Sequence, residues 1–221
     1  MKNIIFSLCK AIGRIFSYLY PYRLNGIIGV LRSYIYSGWI TRIVGNNEGR
    51  IIGPILVIGG KRISIGKDTV IFERVQLQAI EKGGKGELYA PEMIIGCDVL
   101  IQRDVQISAS NKVVIGDHVD IAARTLITDT VHGDFSPSSF TFENGSEIPD
   151  VFLKNARTRD YVSKGPVIIE DNVHIGMNCI IMPGVTIGKN SVISAGTIVN
   201  KNVPPFSLVS GNPCQIISFN E

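Results

Sequence analysis

Acidic side chains are missing from the first 47 residues of this 221-residue chain, a stretch that holds six cations: Lys2, Lys10, Arg14, Arg23, Arg32 and Arg42. The whole chain has a net charge of only +3, so the imbalance belongs to the N-terminal segment. Histidine is scarce: the three residues His118, His132 and His174 stand 14 and 42 positions apart, without the close pair that a zinc site uses. The four cysteines, Cys9, Cys97, Cys179 and Cys214, form no C-x-x-C and read as reduced thiols of a cytoplasmic protein. No uncharged apolar run reaches the ~18 residues of a membrane-spanning helix. Lys10 and Arg14 interrupt the apolar start, and no small-x-small site follows, so a signal peptide is not expected. Basic and aromatic residues do not alternate along the chain, which argues against a nucleic-acid reader. Leucine is sparse beside isoleucine and valine, a balance that favours strands over helices.

What is present is a period of six. Ile65, Ile71 and Leu77 step by six, as do Ile95, Ile101 and Ile107, then Ile115, Ile121 and Ile127. Ile169, Ile175, Ile181, Ile187, Ile193 and Val199 continue the rhythm near the C-terminus. Small or β-branched residues recur four places after these aliphatics: Thr69, Val75, Val99, Val105, Val119, Thr125, Val173, Val185, Ser191, Thr197 and Val203. Six is the period of neither a helix nor a flat hairpin. A short strand and a tight turn fill six residues, and three such units close one triangular coil. Stacked coils make a solenoid with an aliphatic column inside each edge. The interruptions follow the third unit of each set: a loop around residues 79–92, a two-residue bulge after 107–112 and a long excursion over 133–164, so all three are expected to leave from one corner. Long loops on a rigid scaffold commonly carry function.

The C-terminal third, with "PGVTIG", "SAGTIVNKNVPP" and "GNPCQII", resembles the bacterial hexapeptide-repeat acyltransferases. "ITDTVHG" resembles their catalytic-histidine segment, and "VSKGPVIIEDNVHIG" the return from their active-site loop. The likeness extends over about residues 50–219 and is greatest to sugar O-acetyltransferases of surface-polysaccharide pathways. It implies a mainly β fold, a left-handed parallel β-helix over residues 49–221 with an inserted loop at 133–166, behind a helical segment at 1–48. It also implies acetyl-CoA as donor, no metal, a homotrimer with clefts between prisms, and a cytoplasmic sugar or glycan acceptor, a polyprenyl-linked one included.

Acyl transfer to a hydroxyl needs a base at the attacking oxygen, and imidazole titrates in the useful range. His132 ends a unit at the insertion corner, followed by Gly133, and is the expected general base; the alternative is an exposed turn histidine. Asp129, Asp134 or a backbone carbonyl could orient its ring. His118 reads as a surface residue. His174 stands where many of the resembled enzymes have a tryptophan beside the thioester, and is expected in the coenzyme pocket. The resemblance places Met177 near the thiol and Ala195, Gly196, Asn200 and Lys201 along the pantetheine groove, with Lys189 also able to offset phosphate charge. Gln102, Asp104 and Asp134 are expected on the acceptor side. Arg157, Arg159 and Lys164 could grip an anionic sugar, or remain solvated loop charges.

Residues Ile4, Ile5, Leu8, Ile12, Ile15, Phe16 and Leu19 follow helical spacing, "YPYRLNG" is expected to break that helix, and a second apolar stretch covers residues 27–40. Two readings remain open for this segment. It caps the open end of the solenoid, or it forms a basic amphipathic contact with the inner membrane face. Three functional alternatives also remain: an antibiotic acceptor, N-acetylation of an amino or nucleotide sugar, and a non-catalytic scaffold.

Overall fold

A computed structural model describes residues 22–83, 86, 88–133, 140–143, 146–149, 155, 159 and 161–219. The period of six becomes three stacks of short parallel strands. Face 1 stacks Asn46–Asn47, Ile63–Ile65, Glu92–Ile95, Lys112–Ile115, Val167–Ile169 and Thr186–Ile187. Face 2 stacks Arg50–Ile51, Val70–Ile71, Leu100–Ile101, Asp120–Ile121, His174–Ile175, Val192–Ile193 and Ser207–Ser210. Face 3 stacks Leu56–Ile58, Gln76–Ala79, Gln106–Ala109, Leu126–Thr128, Ile180–Ile181 and Ile198–Val199. An antiparallel strand, Gln215–Ser218, folds back on Ser207–Ser210 and ends face 2.

All fifteen in-phase aliphatics are at most 2 % exposed, and the eleven small or branched residues four places later at most 3 %. Each unit therefore sends two side chains inward. Register keeps the columns pure: on face 2, Ile51, Ile71, Ile101, Ile121, Ile175, Ile193 and Val209 stack in sequence. Burying one such side chain contributes about 1.5–3 kcal/mol.

The corners between faces 1 and 2 turn through a left-handed residue: Asp68, Asp98, His118, Asn172 and Asn190, with φ between 52° and 60°. Those between faces 2 and 3 use Arg74, Asp104, Arg124, Asn178 and Gly196 in the same way. The glycine after the aliphatic has a separate cause. A Cβ on Gly66 would lie 2.5 Å from the Gly96 carbonyl oxygen, and one on Gly96 would lie 2.6 Å from that of Gly116. The coils stack too closely there for any side chain.

All three interruptions leave between face 3 and face 1, as their spacing predicts. The third is more ordered than a plain loop. Thr130–His132 pairs antiparallel with Tyr161–Ser163, and Phe140–Glu143 pairs with Ser146–Pro149.

At the N-terminal end, helix α1 (Tyr22–Ile40) lies against the first coil. That helix starts at Tyr22, within "YPYRLNG"; Tyr20, Pro21 and the helix that the motif is expected to break lie outside the described residues. The inward contacts of α1 are largely polar: Ser37 Oγ accepts the Ile51 N–H at 2.7 Å, and Tyr36 Oη accepts the Ile55 N–H at 3.2 Å. Residues 1–21, including Cys9 and the first apolar stripe, lie outside the described residues. No helix among those described is long and apolar enough to cross a membrane. Cys97, Cys179 and Cys214 are free thiols, and burial raises Cys179 above an ordinary thiol.

Candidate active site

The solenoid opens after face 3, and His132 stands at that opening. Alternation along Thr130–His132 places Thr130 and His132 on one side and Val131 on the other. His132 is exposed and borders a cleft of about 260 Å³. The cleft runs down face 3 between Gln78, Ile80, Gln106, Ser108, Leu126, Thr128 and Thr130. Strand register builds this wall: Gln78 lies beside Ser108 and Ser108 beside Thr128, while Gln106 lies beside Leu126. Gln78 is steadied by donating from Nε2 to Gln76 Oε1 at 2.9 Å. The lining presents carboxamides and hydroxyls, two aliphatic side chains and one imidazole, with no carboxylate among the described lining residues. Such a surface suits a neutral polyhydroxyl ligand.

Asp129 does different work from that expected of it. Its side chain is fully buried. Oδ1 accepts the Ser110 N–H at 2.8 Å and the Thr130 hydroxyl at 2.6 Å. Oδ2 accepts the N–H groups of Asn111 and Lys112 at 2.8 and 2.7 Å. The carboxylate thus satisfies three main-chain donors of the corner below, where the chain also turns from face 3 to face 1. The residue's own carbonyl accepts the Lys164 N–H at 3.3 Å, which joins the outgoing and returning ribbons. The expectation that Asp129 orients the His132 ring is corrected accordingly. The carboxylate points into the corner, three residues along the chain from a ring that points out. Asp129 positions the strand that carries His132.

Gln102 and Asp104 are not brought to His132. They occupy the corner where face 3 begins, whereas His132 lies beyond the point where face 3 ends. Asp104 there accepts two hydrogen bonds from Arg74, Nε to Oδ1 at 2.7 Å and Nη2 to Oδ2 at 2.9 Å. That pairing holds its carboxyl below the usual range and raises Arg74. The residues that do wall the cleft, Gln78, Gln106 and Ser108, had a signal in the sequence: uncharged polar residues at outward positions of face 3. Asp134 and Arg157 lie outside the described residues. Arg159 is half-buried, and its Nε is buried with no hydrogen-bond partner.

Of the residues expected on the coenzyme side, three come together. Met177, Ala195 and Gly196 share the corner between faces 2 and 3 in the last coils. The Gly196 N–H donates to the Met177 carbonyl at 2.8 Å, and Ala195 packs over Gly176 so closely that a Cβ there would stand 2.5 Å from the Ala195 nitrogen. Met177 is 45 % exposed, and nothing lies within 4 Å of where a Gly196 Cβ would stand, so an extended ligand has open access to this corner. Asn200 and Lys201 sit at the next corner, both exposed, with Asn200 Oδ1 accepting from the Cys214 thiol at 3.6 Å. His174 lies on face 2, and its Nδ1 is 3.1 Å from Oδ2 of Asp120 in the coil beneath. One chain alone therefore keeps His174 and the His132 cleft on different faces. His118 makes a similar pair with Asp98 at 2.9 Å, and that hydrogen bond holds its ring above the ordinary imidazole value. Among the described residues, no group of three or more His, Cys, Asp or Glu could hold a metal ion.

Comparison with known proteins adds three observations. Residues 166–201 match the family model described as the hexapeptide repeat of succinyl-transferase. No curated protein sequence gives a significant match. Several solved structures share the architecture. One is AntD, an N-acyltransferase from Bacillus cereus, in complex with dTDP and 3-hydroxybutyryl-CoA; it is 19 % identical, with a TM-score of 0.63 over 83 % of this chain and 88 % of that one. A single-residue mutant of the same enzyme, in complex with dTDP-4-amino-4,6-dideoxyglucose and coenzyme A, is 20 % identical, with a TM-score of 0.62 over 83 % and 89 %. A hexapeptide-repeat acetyltransferase, VCA0836 from Vibrio cholerae, complexed with acetyl coenzyme A, is 22 % identical, with a TM-score of 0.50 over 91 % of both chains. The period, the three parallel faces, the repeat match and the shared architecture make this chain a hexapeptide-repeat left-handed parallel β-helix.

Proposed function

We propose that the chain transfers an acetyl group from acetyl-CoA to a sugar hydroxyl, in the synthesis of a bacterial surface polysaccharide, with His132 as general base. One observation carries the reading: the only histidine at the interrupted corner stands on the rim of a cleft walled by carboxamides and hydroxyls. The sugar O–H passes its proton to the imidazole as the oxygen attacks the thioester carbonyl. The C–S bond then breaks, and the leaving thiolate takes the proton back from the imidazolium. The acetyl donor lies along the corner of Met177, Ala195 and Gly196, with Asn200 and Lys201 toward its phosphates and His174 near its thioester. Since His174 lies on face 2 and Met177, Ala195 and Gly196 lie where face 3 begins, away from the corner beyond face 3 that carries His132, the reaction uses a homotrimer in which a neighbouring subunit supplies the donor groove. The acceptor is a free or polyprenyl-linked cytoplasmic glycan.

A second reading is N-acylation of a nucleotide amino sugar. It is favoured by the AntD complexes, one of which contains dTDP-4-amino-4,6-dideoxyglucose. The cleft lining favours the hydroxyl, because no described lining residue offers a carboxylate to an ammonium group. The test is free-thiol release from acetyl-CoA against sugars, glycolipids, nucleotide amino sugars, amino-free nucleotide sugars and hydroxyl-bearing antibiotics. Turnover with hydroxyl acceptors and none with the amines supports O-transfer. Turnover confined to amino sugars replaces it with N-transfer. Turnover with an antibiotic alone moves the acceptor to that class, and neither turnover nor coenzyme binding leaves a scaffold.

A further inference from the structure

Helix α1 is amphipathic the wrong way round for a helix that only caps a core. Its inward side carries the buried Ser33 and Ser37, with Ile40 at its end. Ser37 also donates to the Ser33 carbonyl at 2.7 Å. Its outward side carries Leu31, Tyr34, Ile35 and Trp39, which are 58, 60, 76 and 57 % exposed. At 100° per residue, Leu31 and Ile35 form the centre of one stripe and Tyr34 and Trp39 its edges. A contiguous apolar stripe of this kind marks an interaction surface.

Charge indicates what covers it. The 47 residues that contain this helix hold six cationic side chains and no acidic one. Beside the helix lies a cleft of about 420 Å³ whose lining includes Arg32, Ser33, Arg50 and Glu73. Arg50 Nε is buried there with no hydrogen-bond partner. Glu73 lies 3.8 Å from Arg74 and 3.7 Å from Arg103, so its charge is shared with the next corner. Arg32 stands at the Trp39 edge of the apolar stripe, and Arg50 shares with it the cleft that opens beneath the helix. A guanidinium bordering a Trp- and Tyr-bearing stripe matches a surface of phosphodiester headgroups over acyl chains, since the planar fork suits phosphate and aromatic rings settle at the headgroup level.

We infer that the outer face of α1, with the Arg32–Arg50 cleft beside it, docks the protein on an anionic membrane surface. This contact is independent of the acyl-transfer reading, because its test uses neither acetyl donor nor acceptor.

Trp39 is the chain's single tryptophan, so its fluorescence reports on this face alone. The full chain is mixed with vesicles of phosphatidylglycerol and phosphatidylethanolamine, and separately with phosphatidylcholine vesicles. Flotation measures binding, and the solution mass is measured without vesicles. The expected result is a blue-shifted Trp39 emission and flotation with the anionic vesicles, both lost in phosphatidylcholine and weakened by salt. I35E is expected to reduce flotation at least tenfold with unchanged solution mass, and R32Q combined with R50Q to reduce it less. No flotation of the wild type on anionic vesicles overturns the proposal. So does an emission already blue-shifted without vesicles and unaltered by them, or a solution mass that falls in I35E, because either places another protein surface on this face.

Discussion

The tight corners and the open corner of this solenoid solve one problem in two ways. Between faces 1 and 2, and between faces 2 and 3, a coil turns in a few residues through a left-handed backbone position, and coils stack so closely that Gly66 and Gly96 leave no room for a Cβ. Between faces 3 and 1 the chain departs three times, and the coil ending at Thr128 is joined there to the corner at residues 110–112 by the buried carboxylate of Asp129 rather than by a repeated turn. Repetition makes the tight corners plain scaffolding. The open corner gives up repetition, and the side chains beside it, His132, Thr128, Thr130, Gln106 and Gln78, become available to a ligand.

Substitutions can sharpen that contrast. The largest stability loss is expected in the shared core. I107A, at a fully buried position on face 3, is predicted to cost roughly 2–5 kcal/mol in denaturant unfolding, since a cavity replaces a packed side chain. Next comes D129A, which strands three main-chain donors. A loss of about 3 kcal/mol is expected, together with loss of turnover at temperatures where the protein is still folded, because the strand carrying His132 loses its tether. G96A at a tight corner forces a methyl group against the Gly116 carbonyl and is predicted to cost roughly 1–3 kcal/mol. Its turnover below the melting temperature should match the wild type, which separates the two kinds of corner. The smallest effect is electrostatic. The Asp98 hydrogen bond raises the folded His118 value, so its contribution to stability is complete below the unfolded imidazole value and is lost as pH rises through the raised folded one. Proton-detected titration should show His118 above an ordinary histidine in the wild type and returned toward it in D98N, with turnover unaffected.

Much of this contrast is legible in the sequence. The six-residue step marks every inward aliphatic, and counting units in threes puts all interruptions at one corner. What the linear count misses is which side chains meet across coils. Gln102 and Asp104 precede the His132 coil by one turn, but they begin face 3 while His132 lies beyond its end. Register depends on the lengths of the insertions: Gln78 reaches Ser108 across thirty residues and Ser108 reaches Thr128 across twenty. Asp129 reads as a triad partner because it is three residues from a histidine. Strand alternation and the donors of the coil below turn it inward. Helix α1 is visible as an apolar stretch, yet the stripe that faces outward is fixed only by Ser37 and Tyr36 binding the first coil.

The most direct test of the central claim is the rate of thiol release from acetyl-CoA, with the acceptor found active for the wild type, in H132A. Loss of the general base at the open corner predicts a rate lower by roughly 10²–10⁴, with an unchanged melting temperature because the ring is exposed. A rate within a few-fold of the wild type would contradict the account and place the proton transfer elsewhere.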